Sequence, residues 1–284
     1  MAALALAPLP ANDEALLALA RPEGPPPGAR GLFRDDCWLR RVSGAPVAIF
    51  GGGRALLLEL AHPFVAAGVA EHSAWRSDPF GRLQRTLAAM SAVTFGELPA
   101  ALAAARAVER AHARVRGVLP ADAGPFPAGT PYSGRDPEAV RWVWATLADT
   151  ALVIYERFVE PLSPEAREDY YADHRVLARV LGVPPGLVPS DLAAFRAYFD
   201  DMVASDLLAV TPLARELAQA VLDPPAELGA ARMARSITAG LLPPRLREGF
   251  GLVWDARREA RLAALVASVR SLRGEDAAAG GRRA

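Results

Sequence analysis

Apolar residues recur along the chain at the three- and four-residue spacings of a helix face, and the alternation of a strand is almost missing. Glycine and proline clusters divide the pattern at short intervals. After a Pro/Gly-rich stretch at 21–31, it predicts a helix from Gly53 to about Glu71. A second opens at Asp78-Pro79, a capping residue followed by a first-turn proline, and reaches Phe95. The turn "GELP" leads into a third, from Pro99 to Arg116. A long loop, "GVLPADAGPFPAGTPYSGRDP", ends at Asp136-Pro137, where a long helix starts and runs to Phe158. Further helical segments follow in "SPEAREDYYADHRVLARVLG", "PSDLAAFRAYFDDMVASDLL", "TPLARELAQAVL", "PAELGAARMARSITAGLL" and "DARREARLAALVASVRSLR". No repeat and no deep break in composition interrupts them. The expectation is one all-α domain of about nine helices over residues 32–272, with an N-terminal arm (1–31) and a disordered tail (273–284).

Composition narrows the function classes. The chain has 284 residues, 52% hydrophobic and 23% charged, enough to bury a large core. Its 32 basic and 32 acidic residues cancel, which argues against the basic excess of a nucleic-acid binder. Every basic residue is arginine, so no lysine amine can act as a Schiff base or general base. A single cysteine, Cys37, leaves no internal disulfide and no cysteine-cluster metal site, in keeping with a reducing, cytoplasmic setting. The first twenty residues lack a basic n-region and are broken by Pro8, Pro10 and acidic residues, so no secretory signal is expected. The most apolar stretch, 45–70, carries Arg54, Glu59, His62 and Pro63. Each charge at mid-bilayer would cost about 3 kcal/mol, so no membrane span is expected, while a peripheral membrane contact stays open.

Few motifs carry chemistry. "GGGRA" (51–55) has no phosphate-loop fingerprint and reads as a chain reversal. Glu109 and His112 form one Glu-x-x-His on a helix face, but a ferritin-like di-iron centre needs a second, and there is none. Arg82, Arg85 and Thr86 fall at i, i+3 and i+4, in line with the apolar Ala89, Met90 and Val93. Such arginines either snorkel to the helix edge and pair with Glu71, Asp78 or Asp149, or face something polar or anionic. The helices bearing Arg82–Thr86 and His112 are joined by a short turn and should lie antiparallel. Small residues in "ALAAARAV" would let a flat group approach the backbone. An imidazole on one helix opposite arginine and threonine on the other is how a haem pocket is built, with guanidinium matching propionate. A lone histidine packed in a core is the plainer alternative.

The runs "LLLELAHPFVAAGVAEHSAWRSDPFGRLQRT", "AHARVRG", "WATLADTALVIYERF" and "LGVP" resemble the oxygenase family of latex-clearing protein (rubber oxygenase) and the fungal MpaB-type enzymes, from about Arg40 to Leu252. The resemblance implies an all-α, globin-like core holding haem b. It also implies oxidative cleavage or oxygenation of C=C bonds in apolar, isoprenoid-type chains with O2. Carried over by position, His112 matches the proximal iron ligand, and "RLQRT" places Arg82 and Thr86 on the distal arginine and threonine. Arg85 stands where rubber-cleaving members have lysine, so a lysine-capped resting state is not expected, and Arg85 with Thr86 would donate hydrogen bonds on the distal side. Arg82 or Arg85 would hold a propionate. Glu71 is the candidate for the family's distal glutamate and His72 a candidate distal group. Trp144 replaces a histidine common in MpaB-like members. Without an export signal, extracellular polymer is not the expected substrate.

The remaining candidates read as structure. His62, before Pro63, is expected to be buried and hydrogen-bonded, Asp149 to pair with Arg157, and His174, beside Asp173, to be exposed. Phe195, Phe199 and Met202 suit a core stripe better than a substrate channel. The expected function is that of a haem-dependent oxygenase. The alternatives are a non-catalytic helical module binding an apolar ligand or partner, and a non-haem iron site built from His62, Glu71, His72 and Glu109.

Overall fold

A computed structural model of the chain describes residues 6, 8–75, 77–222 and 228–280. The helices are α1 (Asp13–Ala20), α2 (Trp38–Ser43), α3 (Gly52–Leu60), α4 (Pro63–His72), α5 (Pro79–Phe95), α6 (Leu98–Ala113), α7 (Pro137–Phe158), α8 (Pro164–Val180), α9 (Leu192–Ala204), α10 (Pro212–Leu222), α11 (Leu228–Leu241), α12 (Pro244–Gly249) and α13 (Ala256–Gly280). The all-α expectation holds, with one addition inside the long loop. There β1 (Arg116–Val118) and β2 (Pro131–Ser133) pair antiparallel, in a stretch too short to show a two-residue period.

The capping chemistry explains where helices begin. Asp78 accepts from the Gly81 amide at 2.9 Å, Asp136 from Ala139 at 2.9 Å and Ser163 from Ala166 at 3.2 Å, each satisfying a donor that has no partner within the helix. α7 is the central pillar: twelve of its 22 residues are buried, so it meets neighbours on nearly every side. Trp142, Trp144, Ala145 and Ala148 join the cluster formed with α3, α9 and α10. Leu152 and Tyr155 join a second cluster with α1, α2, α6 and α8, and Ile154 and Phe158 a third with α11 and α13. Phe195, Phe199 and Met202 lie in the first cluster, with Phe199 stacked on Trp142, so they are core residues.

Several expectations need correcting. The helix read from Gly53 to Glu71 is two: His62 and Pro63 break it, and the two halves (Pro46–Leu60 and Pro63–His72) lie at 106°. That bent pair is apolar enough to be a candidate broken membrane span by composition, whereas no single described helix is long and apolar enough to cross a membrane. The N-terminal arm is built into the fold, since Leu16 and Ala20 of α1 are fully buried and Arg21 pairs with Asp173 at 3.0 Å. The tail expected from 273 is helical to Gly280, and 281–284 lie outside the described residues.

The glycine run is a packing device rather than a chain reversal. It continues from a 3-10 turn (Pro46–Gly51) straight into α3, bringing the backbone against Thr150 of α7 and Thr238 of α11. Asp149 pairs with Arg54 of α3 at 2.7 Å, while Arg157, two turns further along α7, reaches Glu259 at 3.1 Å. Residues eight apart on one helix stand about 12 Å apart, too far to pair.

His174 is buried, not exposed, because it falls on the stripe of Ala166, Tyr170, Leu177 and Ala178. Asp173, on the next position, points instead to Arg21. The His174 ring lies 4.5 Å from that of Tyr170, and among the described residues neither of its nitrogens has a hydrogen-bond partner.

Two predictions follow from this packing. A Cβ at residue 53 would stand 2.1 Å from the Thr238 hydroxyl, whereas one at residue 52 meets nothing within 4 Å. Gly53→Ala is therefore expected to cost about 1–3 kcal/mol. Gly52→Ala should gain about 0.5–1 kcal/mol, as an alanine does for a glycine in a helix. Urea unfolding of the two variants reads the contrast, and equal effects would refute the close approach.

The second concerns acid. Burial lowers the pKa of His62 to about 4 and of His174 to about 3, from an ordinary 6.5. Above pH 6.5 neither ring is protonated, folded or unfolded. Below it the unfolded chain takes up protons that the fold refuses. Stability should therefore fall as pH drops from 6.5 toward 4, by up to about 1.4 kcal/mol per pH unit for each histidine. His174→Phe, which forfeits no hydrogen bond, should flatten that decline between pH 7.5 and pH 5 in chemical denaturation.

Candidate functional site

α5 and α6 pack side by side and antiparallel around the turn at Gly96. Arg82 lies 14 residues before Gly96 and His112 16 residues after it. At about 1.5 Å per residue they stand near one level, about 21 and 24 Å from the turn. Val93, Ala101, Leu102 and Ala105 share one core cluster, so the alanines of α6 close the space between the two rods and leave no flat slot there. The open space lies past that contact, where α4, α7 and the hairpin complete the wall. It is a cavity of about 300 Å³, lined by Phe64, Val65, Gly68, Val69 and His72 of α4, Arg82 of α5, Ala111 and His112 of α6, Ser133 and Gly134 after the hairpin turn, and Ala139, Val140 and Val143 of α7.

His112 is half-buried in the last turn of α6. Burial lowers its pKa against the opposing pull of the Glu109 charge, so the ring is neutral at pH 7. Among the described residues neither ring nitrogen makes a hydrogen bond, and Glu109 is engaged by Arg135. Across the same cavity, His72 Nε2 is 3.0 Å from the Arg116 carbonyl oxygen. Glu71 does not line the cavity. It accepts from the Tyr132 hydroxyl and lies 3.7 Å from His72 Nε2, tying α4 to the hairpin. Burial, with Glu71 adding to it, holds the Tyr132 hydroxyl in its protonated form.

The distal candidates separate. Arg82 is half-buried and faces the cavity, and among the described residues its guanidinium has no hydrogen bond or ion pair. Arg85 and Thr86 are exposed and line no cavity. Arg85 reaches back to Asp78 at 3.0 Å, and the Thr86 hydroxyl donates to the Arg82 carbonyl at 3.1 Å. The apolar stripe of α5 is covered from Val93 on, whereas residues 84–88 stand clear of the core. A common helix face therefore did not mean a common environment.

His62, Glu71, His72 and Glu109 do not assemble a metal centre. No group of three or more His, Cys, Asp or Glu suited to a metal occurs among the described residues. His62 is buried, and its Nδ1 caps α4 by accepting from the Phe64 amide at 3.3 Å. Trp144 is buried in the core, donating to the His174 carbonyl at 3.0 Å.

A second cavity, about 600 Å³, adjoins the first, and Val69 and Arg82 line both. Its wall is almost wholly apolar, from Pro46, Ile49, Leu56, Leu60, Trp75, Leu217 and Val221, with Glu59 as its one carboxylate. Burial pushes the Glu59 carboxyl up to about 7, against the charge of Arg82 and the hydroxyl of Thr146, whose Oγ1 lies 3.5 Å away. Glu59 was missed in the sequence, where it counted only as a charge interrupting an apolar run. The available signal was a lone carboxylate in "LLLELAH" with no arginine three or four residues away on its own helix face to neutralise it.

The chain matches the family described as ER-bound oxygenase mpaB/B'/rubber oxygenase, catalytic domain, over residues 40–271. It is 26% identical over 224 residues to an uncharacterised protein of Mycobacterium bovis, and equally to one of Mycobacterium tuberculosis, covering 76% of this chain and 84% of each relative. No solved structure matches it.

Proposed function

We propose that this chain, which belongs to the mpaB/rubber oxygenase catalytic-domain family, is a haem-b-dependent oxygenase acting with O2 on an apolar, isoprenoid-type unsaturated substrate. One observation carries the reading: among the described residues, a neutral imidazole and a guanidinium, neither with a side-chain hydrogen bond, face one cavity from neighbouring helices. A haem needs one such imidazole for its iron and a cation for its propionates, so the residues present fit the group. His112 would hold the iron, and Arg82 would hold a propionate or a polar group on the opposite side. Haem b, when bound, supplies an iron that activates O2.

The protein's own contribution is to position and to exclude water. Phe64, Val65 and Val69 give the smaller cavity an apolar wall, so a guest there loses its hydration and any fixed charge acts on it more strongly. The guanidinium of Arg82 presents a planar fork of donors. The larger, apolar cavity next to it is the substrate chamber in this reading, in the size range of small-molecule sites. Glu59, rather than Glu71, is the carboxylate that faces this chamber. Arg85 and Thr86 contribute through the start of α5 and not by touching a guest.

The test is spectroscopic. Expressed with a haem precursor, the protein should show a strong Soret band. His112→Ala should lose it with far-UV circular dichroism unchanged, and His72→Ala should retain it. A colourless, well-folded wild type would favour the non-catalytic ligand-binding alternative and end the haem reading.

A further inference from the structure

We propose that the larger cavity binds an elongated apolar molecule bearing a single hydroxyl, held at that end between Glu59 and Arg82. The inference deepens the oxygenase reading by naming what its substrate carries. Its evidence is the polarity of the chamber rather than any haem.

Within this apolar enclosure stand a carboxyl and a guanidinium, of opposite sign above about pH 7 where Glu59 is ionised, and among the described residues no ion pair within 4.0 Å joins them. Among the described residues, the side chain within hydrogen-bond reach of the Glu59 carboxyl is Thr146, at 3.5 Å, and the Thr146 hydroxyl is already committed to the Val143 carbonyl at 2.7 Å. Both groups thus keep free hydrogen-bonding capacity directed at the cavity. The two charges together decide what satisfies them. A carboxylate guest would suit Arg82 and be repelled by Glu59. An ammonium guest would suit Glu59 and be repelled by Arg82. A hydrocarbon would strip water from both and return no hydrogen bond to either. A hydroxyl donates one hydrogen bond and accepts another, so it answers Glu59 and Arg82 at once.

The placement gives the guest a direction. Arg82 also lines the cavity of His112, so the hydroxyl end lies at the boundary between the two spaces. The lining also includes Ile49 and Leu87, which are 58% and 46% exposed and mark the side open to solvent. An apolar tail leaving the polar end therefore runs along Leu56, Leu60 and Val221 toward that side.

Isothermal titration of the protein as purified, at pH 8 and with four probes built on an eight-carbon chain, tests this. Octan-1-ol should bind at least about ten times more tightly than 1-methoxyoctane, which keeps the oxygen acceptor and lacks the donor. It should surpass octanoate and octylamine by a similar factor. Glu59→Leu should erase the margin of the alcohol over the ether while leaving ether binding in place, and Glu59→Gln, which preserves shape and hydrogen bonding, should retain part of it. Equal affinity for alcohol and ether, tightest binding of octanoate or of octylamine, or no heat from any probe would each overturn the proposal. The wild-type series decides even where a variant fails to fold. Binding is read without turnover, so a protein that selects the alcohol but shows no Soret band would retain this inference and lose the haem reading.

Discussion

The bend at His62-Pro63 sets where both cavities can lie. α3 runs into the core, with Leu57, Leu58 and Leu60 buried against the α7 and α10 cluster. Proline supplies a first-turn residue that needs no hydrogen bond, and the histidine before it, held away from helical geometry, offers its own ring nitrogen as the cap. The result is a helix turned by 106°, whose face carries Val69 to both cavities and His72 to one. Capping is possible because burial keeps the His62 ring neutral, since a protonated ring would have no acceptor to give.

The same region depends on one buried cation. Arg54 is 4% exposed and spends its donors on the Leu241 carbonyl, the Thr150 hydroxyl and the Asp149 carboxylate. These partners come from α11 and α7, so α3 is clamped between them at the level where glycines allow close approach. A buried ion pair adds little net stability relative to apolar packing, but losing one partner leaves an uncompensated charge. The arrangement therefore fixes the position of α3 more than it strengthens the fold, and α3 is the element that carries Glu59.

Much of this architecture was legible because helix starts have local causes. Asp78, Asp136 and Ser163 each sit before a proline and cap as their side chains require. His112 and Arg82 were legible through the short Gly96 turn, which fixes their relative height. What was not legible depended on which part of a face the rest of the protein covers. Thr86 and Val93 share a stripe of α5, yet only the second meets the core. His174 was misjudged from its charged neighbour Asp173, although the four-residue spacing from Tyr170 already placed it inward. Glu59 required three-dimensional knowledge, because its meaning comes from a cavity wall assembled by α3, α5 and α10.

Arg85 stands where the family resemblance implies a lysine, and its location limits what that changes. Its side chain is 64% exposed and returns to Asp78, the capping residue of its own helix. There the guanidinium offsets a carboxylate that the Gly81 amide also engages, so the pair stabilises the entry to α5. An exposed pair of this kind, screened by solvent, contributes little. Exchanging lysine for arginine at that position therefore alters a helix start on the outer surface and leaves both cavity walls as they are. The fixed cation inside remains Arg82, one residue serving two spaces. Any guest that engages it in the larger cavity competes with whatever it holds in the smaller, which couples occupation of the two.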